Sequence, residues 1–475
     1  MERFRSLDVK SVWRRFAAGL FFSVAVLSLI LIDCRPASAI PAFARKYGMP
    51  CSACHEAWPK LSPFGQQFKD NGYQMGNDRD APIFQNPAYW PIALRITPNW
   101  HLEHQDNVIV DSPAGNNSAL ANITTHGFDF TGMDILTAGT LAHNISFQLV
   151  PSSDETGSFH LESVNVRFDN LLNSSWFNLK FGKFELDNLL SEKRILTLSA
   201  NGGEYYNYHF QPWMAPGAPS ASYGFGIGDN QIGMEWLGHS KNDRTRLSVS
   251  LLGATDGNPD FQSGIGGAAG RSYDVFVAGS RAFEVGSWGL QRVGGFAYFG
   301  HAATYPQYTS GGSPILGTGV GNEPFYRVGF IGMWYLKKLD ITTMYFYGHD
   351  SIYLGTNTPA NAGSIGLPPG AHAPSWNGAL FETHYTFNPQ MIFINRYELI
   401  RMSQQVLDSN PGDLGNLDAL TFGFRYYPFM NTRAGLALHN EYSIVWNRKI
   451  QVSPINGAPI DLTSSSLMFG LDFAF

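Results

Sequence analysis

The sequence predicts an all-β transmembrane barrel of about sixteen antiparallel strands, preceded by a small α-helical N-terminal segment. Three observations predict it. Short runs of period-two hydrophobicity fill residues 89–475. The gaps between these runs alternate long and short, as long extracellular loops and short periplasmic turns do in an outer-membrane barrel. The final run, 467–475, sets Leu467, Phe469, Leu471, Phe473 and Phe475 on one face against Met468, Gly470, Asp472 and Ala474. Such an aromatic-ended strand is what the barrel-assembly machinery reads, which makes that machinery an expected partner.

Composition agrees. Charged residues make up only 15% of the 475, yet the mean hydropathy is −0.14, which excludes a bundle of apolar membrane helices. Gly 50, Phe 35, Tyr 21 and Trp 11 suit a sheet protein with aromatic girdles.

Residues 1–39 read as an export signal. Arg3, Arg5, Lys10, Arg14 and Arg15 form a basic n-region, residues 16–32 an apolar run, and Ala37-Ser38-Ala39 an A-x-A cleavage site. The run is long for a signal, so an uncleaved anchor is the alternative. The residues flanking Arg14-Arg15 fit a twin-arginine signal poorly, and Sec, which exports unfolded chains, is the expected route. Cleavage removes six basic and three acidic residues from totals of 32 and 38, leaving 26 against 35 and a net charge of −9. That sign disfavours nucleic acid and anionic substrates and favours cations. The expected address is the outer membrane of a Gram-negative bacterium, with its lipid as solvent.

Residues 40–88 carry Cys51-Ser52-Ala53-Cys54-His55, a C-x-x-C-H motif. Two thiols at this spacing add to the two vinyl groups of a porphyrin, and the following histidine becomes the proximal iron ligand. A zinc site lacks a second Cys/His pair at ligand spacing. A redox dithiol lacks its βαβ context. One covalently attached haem c is therefore expected on Cys51, Cys54 and His55. A helix is expected from Ser62, with serine as cap, Pro63 at the first helical position and Gly72 as terminator. Phe64 and Phe68 then lie one turn apart, placed to pack on the porphyrin or on each other. In so small a segment the haem itself would form most of the core. Met75, just beyond the helix, is the expected distal ligand. Met49 is tethered too near Cys51, His101 is a candidate from the barrel wall, and a five-coordinate iron is the remaining alternative.

The expected strands lie near 92–105, 124–141, 143–150, 160–169, 175–186, 222–238, 244–254, 272–282, 289–301, 324–336, 339–350, 376–387, 390–402, 417–429, 433–446 and 464–475. The long gaps are 106–123, 151–159, 187–221, 255–271, 302–323, 351–375, 403–416 and 447–463. An even count puts both barrel ends on the periplasmic side, where the segment 40–88 can enter and plug the lumen. Within 187–221, residues 189–198 read as a helix or a loop folded into the lumen.

Few other constellations carry chemistry. His101-Leu102-Glu103-His104 resembles a metal pair, but residues three apart on a strand point to opposite faces. Arg95, His101 and Glu103 should share the lumen face. His126, His301, His349 and His384 read as scattered. No nucleophile elbow, P-loop or dinucleotide fingerprint occurs, and the Gly-rich stretch 264–270 precedes no helix. Asp106, Asp111, Asp154 and Glu155 form a solvated acidic rim that could also attract Fe(II).

Ala42-Phe43-Ala44-Arg45, Gly48, Cys51-x-x-Cys54-His55, Pro59, Leu61, Pro63-Phe64-Gly65, Phe68-Lys69 and Gly72-Tyr73 form one continuous pattern of about forty residues. It resembles the N-terminal cytochrome of the fused outer-membrane cytochrome–porins, the monohaem iron oxidases of iron-oxidising bacteria. The chain departs from the family's frequent Arg-Gln-Thr-Gly at Arg45-Lys46-Tyr47-Gly48, and from its Phe-Gly-Arg at Phe64-Gly65-Gln66. The resemblance implies that Cys51, Cys54 and His55 carry the haem, that extracellular Fe(II) donates an electron, and that a periplasmic cytochrome or other carrier accepts it. A porin or transporter with the haem segment as structural or sensory plug, and an outward electron exporter, are the competing expectations.

Overall fold

A computed structural model describes residues 42–57, 60–75, 92–111, 118–153, 156–186, 230–253, 273–303, 307–308, 314–315, 322–350, 375–402, 416–430 and 434–474. It opens with helix α1 (Ala42–Tyr47), the single turn α2 (Cys51–Cys54), strands β1 (His55–Ala57) and β2 (Lys60–Leu61), and helix α3 (Pro63–Asp70).

The barrel strands follow as β3 (Ile92–Asp111), β4 (Ser118–Ala142), β5 (Ile145–Ser153), β6 (Phe159–Phe168), β7 (Asn178–Glu185), β8 (Asn230–His239), β9 (Thr245–Leu252), β10 (Asp274–Glu284) and β11 (Leu290–Ala303). After a small hairpin, β12 (Gln307–Tyr308) with β13 (Pro314–Ile315), come β14 (Asn322–Leu336), β15 (Leu339–Asp350), β16 (Ser375–Asn388), β17 (Met391–Met402), β18 (Leu417–Met430), β19 (Gly435–Val452) and β20 (Pro459–Ala474). Each barrel strand pairs antiparallel with its neighbours in the chain, and β20 pairs with β3 to close a barrel of sixteen. Closure leaves no edge strand unpaired.

Alternation decides which face is which. On β16, Glu382 and His384 are 1% and 3% exposed, whereas Phe381 and Tyr385 are 45% and 44% exposed. β17 repeats the pattern, with Arg396 and Glu398 buried and Phe393 and Tyr397 exposed. Charge is inside and aromatic surface outside, the reverse of a water-soluble protein and the arrangement of a barrel solvated by lipid. Among the described residues no helix is long and apolar enough to cross a membrane, and here strands do the crossing.

Three of the expected long loops shrink. β3 and β4 run on to leave only 112–117, β5 and β6 leave 154–158, and β19 and β20 leave 453–458. Their polar residues sit in hairpin extensions, where ladder hydrogen bonds rather than burial hold the strand, so hydropathy ends the strand too early. The expected lumen-loop helix at 189–198, and residues 222–229 of an expected strand, lie outside the described residues. The short turns keep their expected places. In the β4–β5 turn Asn144 adopts φ +55, a left-handed conformation that Asn enters at low cost.

The upper half of the lumen wall, towards the long loops, is aromatic over β10, β11 and β14–β16. Tyr298 stacks on Phe325 at 5.5 Å, the Arg327 guanidinium lies 4.8 Å from the Phe325 ring and 4.5 Å from Trp376, and Phe346 meets Trp376 edge-on at 4.8 Å. Glycines make the room. A Cβ at Gly348 would sit 2.8 Å from the Trp376 ring and 2.9 Å from Arg327 Cδ.

Candidate functional site

The C-x-x-C-H segment is built by local rules. Ser62 caps α3, its Oγ accepting from the Gly65 N–H at 3.1 Å and donating to the Ala53 carbonyl at 3.2 Å. Its backbone N–H donates to the Cys54 carbonyl at 2.8 Å, fastening the start of α3 to the end of α2. Gly65 is needed there because a Cβ at this position would collide with the Cys54 carbonyl oxygen. The helix expected from Ser62 is therefore present, and Gly72 at φ +73 follows its Asn71 cap. Phe68 is buried among Phe43, Tyr47 and Tyr73, at ring distances of 5.0, 5.7 and 6.1 Å. Phe64, one turn away, is 40% exposed and stands outside those ring pairs. Cys51 is buried, and Cys54, His55 and Met75 are half-buried.

Contacts with the wall surround this segment. Lys60 Nζ reaches Glu56 at 3.0 Å, Asp340 on β15 at 3.0 Å and His384 Nδ1 on β16 at 3.2 Å. Burial alone would lower the Lys60 pKa, but the carboxylates of Glu56 and Asp340 outweigh it and hold the ammonium above the usual lysine range. Across the lumen, Lys69 meets Glu185 on β7 at 3.4 Å and Asp70 meets Arg246 on β9 at 2.9 Å. Arg167 on β6 donates to the carbonyls of Lys69 and Asp70, satisfying the C-terminal end of α3 where the helix dipole favours a cation. A third side is apolar. Cys51 shares a narrow cavity with Tyr427, Met430, Gly435, Leu436, Ala437 and Ala474. Just beside it, Ile392, Ile394, Tyr427 and Ala437 form an apolar cluster on a wall that is otherwise charged at this end.

From Lys60 a chain of polar contacts runs along the wall. His384 Nε2 faces Glu382, and Arg396 joins Glu382 at 3.6 Å to Glu398 at 2.9 Å. Arg396 reaches Thr421 at 3.5 Å, Thr421 meets Ser443 at 3.0 Å, and Ser443 donates to Glu441 at 3.1 Å. Glu441 holds His439 Nε2 at 2.9 Å, and Arg425 donates to His439 Nδ1 at 2.8 Å and to Asp472 at 3.1 Å. Arg95 closes the belt, with Asp472 at 3.0 Å and Asp134 at 3.5 Å. Both histidines accept at Nδ1 from a cation, which leaves the ring proton on Nε2 pointing at a glutamate.

The donor set fits a covalent haem. Thiols at Cys51 and Cys54 occupy one helical turn, an imidazole follows at once, and the wall residues facing Cys51 are apolar. Burial pushes the Cys51 thiol up to about 11 and raises Cys54 as well. Among the described residues no group of three or more His, Cys, Asp or Glu is arranged for a bare metal ion. His101 and His104 are kept apart as expected. His101 pairs with Met468 on the lumen side, and His104 binds Thr124 and Asp106. His101 is six residues along β3 from Arg95, whose partner Ala474 borders Cys51, or about 20 Å up the wall. That height disfavours it as an iron ligand.

His384 is a correction to the sequence reading. It is no isolated residue, since Lys60 and Glu382 flank its ring. Lys60, Asp70, Arg167 and Arg246 are not among the site residues the sequence suggested. Their only signal is charge at lumen-facing strand positions and in a segment otherwise rich in apolar residues.

No family model and no curated protein matches the chain. Solved structures that resemble it include a loop L8 deletion mutant of OmpT, an outer membrane protein of Vibrio cholerae, at 10% identity and TM-score 0.44, covering 81% of this chain and 99% of that one. Pseudomonas putida OprB resembles it at 9% identity and TM-score 0.43, with 81% and 94% covered. Salmonella typhi OmpF, in a complex with daunomycin, does so at 10% identity and TM-score 0.41, with 79% and 97% covered.

Proposed function

We propose that this chain is an outer-membrane barrel with a covalent haem in its lumen-docked N-terminal segment, and that it passes electrons rather than solutes across the membrane. The observation that carries the reading is the fastening of the C-x-x-C-H segment to the lumen wall through Lys60, Asp70 and the apolar surface at Cys51. A sixteen-stranded barrel leaves an aqueous channel unless something fills it. A segment fixed by buried ion pairs on two sides obstructs solutes and holds a redox centre at a set depth.

A bound haem would supply a one-electron couple, with Cys51 and Cys54 as covalent anchors, His55 as proximal ligand and Met75 as distal ligand. The residues do the rest. Lys60 and its partners hold the segment, and the apolar wall excludes water beside Cys51. On the family resemblance, the donor is extracellular Fe(II), which becomes Fe(III) as one electron passes to a periplasmic carrier. Outer-sphere oxidation of this kind needs no acid–base residue.

A second reading, a solute porin in which the segment is a plug, is favoured by the barrel's size class alone. Stopped-flow spectroscopy of the protein in nanodiscs, together with sugar flux in liposomes, separates the two. The conduit reading expects the haem absorbance to shift to its reduced form on mixing with Fe(II), with sugar excluded. Sugar flux without Fe(II)-dependent reduction would sink it in favour of the porin.

A further inference from the structure

Among the described short turns, exposed positive charge gathers on one side of the rim. Three consecutive short turns, 240–244 between β8 and β9, 285–289 between β10 and β11, and 337–338 between β14 and β15, follow one another around the barrel. With the adjoining end of β10 they present Lys241, Arg244, Arg281, Lys337 and Lys338, all exposed. Four carboxylates lie near this arc. Glu284 is paired with Arg244, Asp243 turns inward to Arg246 and Arg292, and Asp340 and Glu56 share Lys60. The other described short turns, 143–144, 169–177 and 389–390, hold no exposed lysine, arginine or carboxylate. This basic arc stands on a chain whose net charge is −6.

Its position matters as much as its sign. Turn 337–338 leads directly into Asp340, which holds Lys60, and turn 240–244 carries Asp243, which shares Arg246 with Asp70. The arc therefore borders the C-x-x-C-H segment at two of its ionic fastenings, Lys60 with Asp340 and Asp70 with Arg246.

We infer that this arc is the docking face for a soluble periplasmic electron carrier with an acidic surface, an inference that rests on the conduit reading. Complementary charge steers encounter and orients a transient partner without needing a large apolar interface. Electron transfer requires the partner to come close to the redox centre and then leave, which suits a small, salt-sensitive contact. Lipid headgroups would call for cations all round the rim, and among the described short turns the exposed cations occupy only three.

The test uses the full-length protein in nanodiscs of zwitterionic lipid, with two small soluble c-type cytochromes of similar potential and opposite net charge as probes. The acidic probe should bind and exchange electrons faster, and its rate should fall steeply as salt rises. The double variant Lys241→Glu with Lys337→Glu should slow the acidic probe about tenfold or more and remove most of its salt dependence, while reduction of the haem by dithionite stays unchanged. Equal, salt-insensitive rates for the two probes would overturn the inference. So would a charge-reversal effect that appears only in anionic lipid. Binding is also measured with the haem-free Cys51→Ser, Cys54→Ser protein. Charge-dependent binding there, combined with no electron transfer in the haem form, supports the docking face while sinking the conduit reading. Normal Fe(II) reduction without charge-dependent binding does the opposite.

Discussion

The two ends of the lumen wall solve the same problem in opposite ways. Towards the long loops the wall buries aromatic rings, and their partners are neighbours in the wall: Tyr298 on Phe325, Arg327 between Phe325 and Trp376, and Phe346 on Trp376. Towards the short turns it buries charge, and part of that charge is satisfied by a different segment of the chain, through Lys60 and Asp70. Trp376 and His384 mark the two regimes on one strand, eight residues or about 27 Å apart. Among the described residues, the lower region takes partners from the N-terminal segment and the aromatic contacts of the upper region lie within the wall, so substitutions at the two ends should fail in different ways.

The largest effect is expected at Lys60. Lys60→Met removes one cation from among Glu56, Asp340 and His384 and leaves two partly exposed carboxylates without it, a change that costs about 3 kcal/mol, the low end for a buried pair because both carboxylates keep some solvent. The barrel ladder does not depend on Lys60, so the cost falls on docking. Limited proteolysis should cut the N-terminal segment quickly, while the barrel keeps its heat-modifiable migration on gels. A segment as protected as in the parent protein would show that the ion pairs are incidental.

Gly348→Ala probes the other end. The new methyl group meets the Trp376 ring and Arg327 at under 3 Å, and overpacking of this kind costs about 1–3 kcal/mol. Trp376 fluorescence should shift and the barrel should unfold at lower denaturant, with protease protection of the segment unchanged. If this variant releases the segment as Lys60→Met does, the two ends are coupled and the contrast between them fails.

How much of this was legible in the sequence follows from the range of each interaction. Strand count and sidedness were readable because alternation is local, repeating every two residues from Phe381 to Tyr385 as elsewhere. The cap at Ser62 was readable because its acceptor and donor lie three residues apart. The docking of the segment was not. Lys60 lies 280 residues from Asp340 and 324 from His384, and no local pattern links them. His384 looked isolated for the same reason. Its neighbours Glu382 and Arg396 share its face, but only the β16–β17 register shows that they meet. The apolar surface near Cys51 was hidden differently. Ile392 and Ile394 look like any strand residues until charged Arg396 and Glu398, two steps further on, show that this face points into the lumen.

The smallest effect should come from Ser62, and it tests whether the segment has order of its own or borrows it from the wall. Ser62→Ala removes the acceptor for the Gly65 N–H and the donor to the Ala53 carbonyl but leaves Lys60, Lys69 and Asp70 in place. Loss of such a cap costs about 1 kcal/mol. With docking intact, that cost should appear locally. The Gly65 amide should exchange with solvent about fivefold faster, in keeping with that free energy, and protease resistance should stay at the parent level. Opening of the whole segment would mean that the cap, rather than the ionic fastening, limits its order. An unchanged Gly65 amide would mean that the wall alone holds α3 in shape, with the local capping chemistry redundant once Arg167 and Arg246 have engaged the far end of the helix.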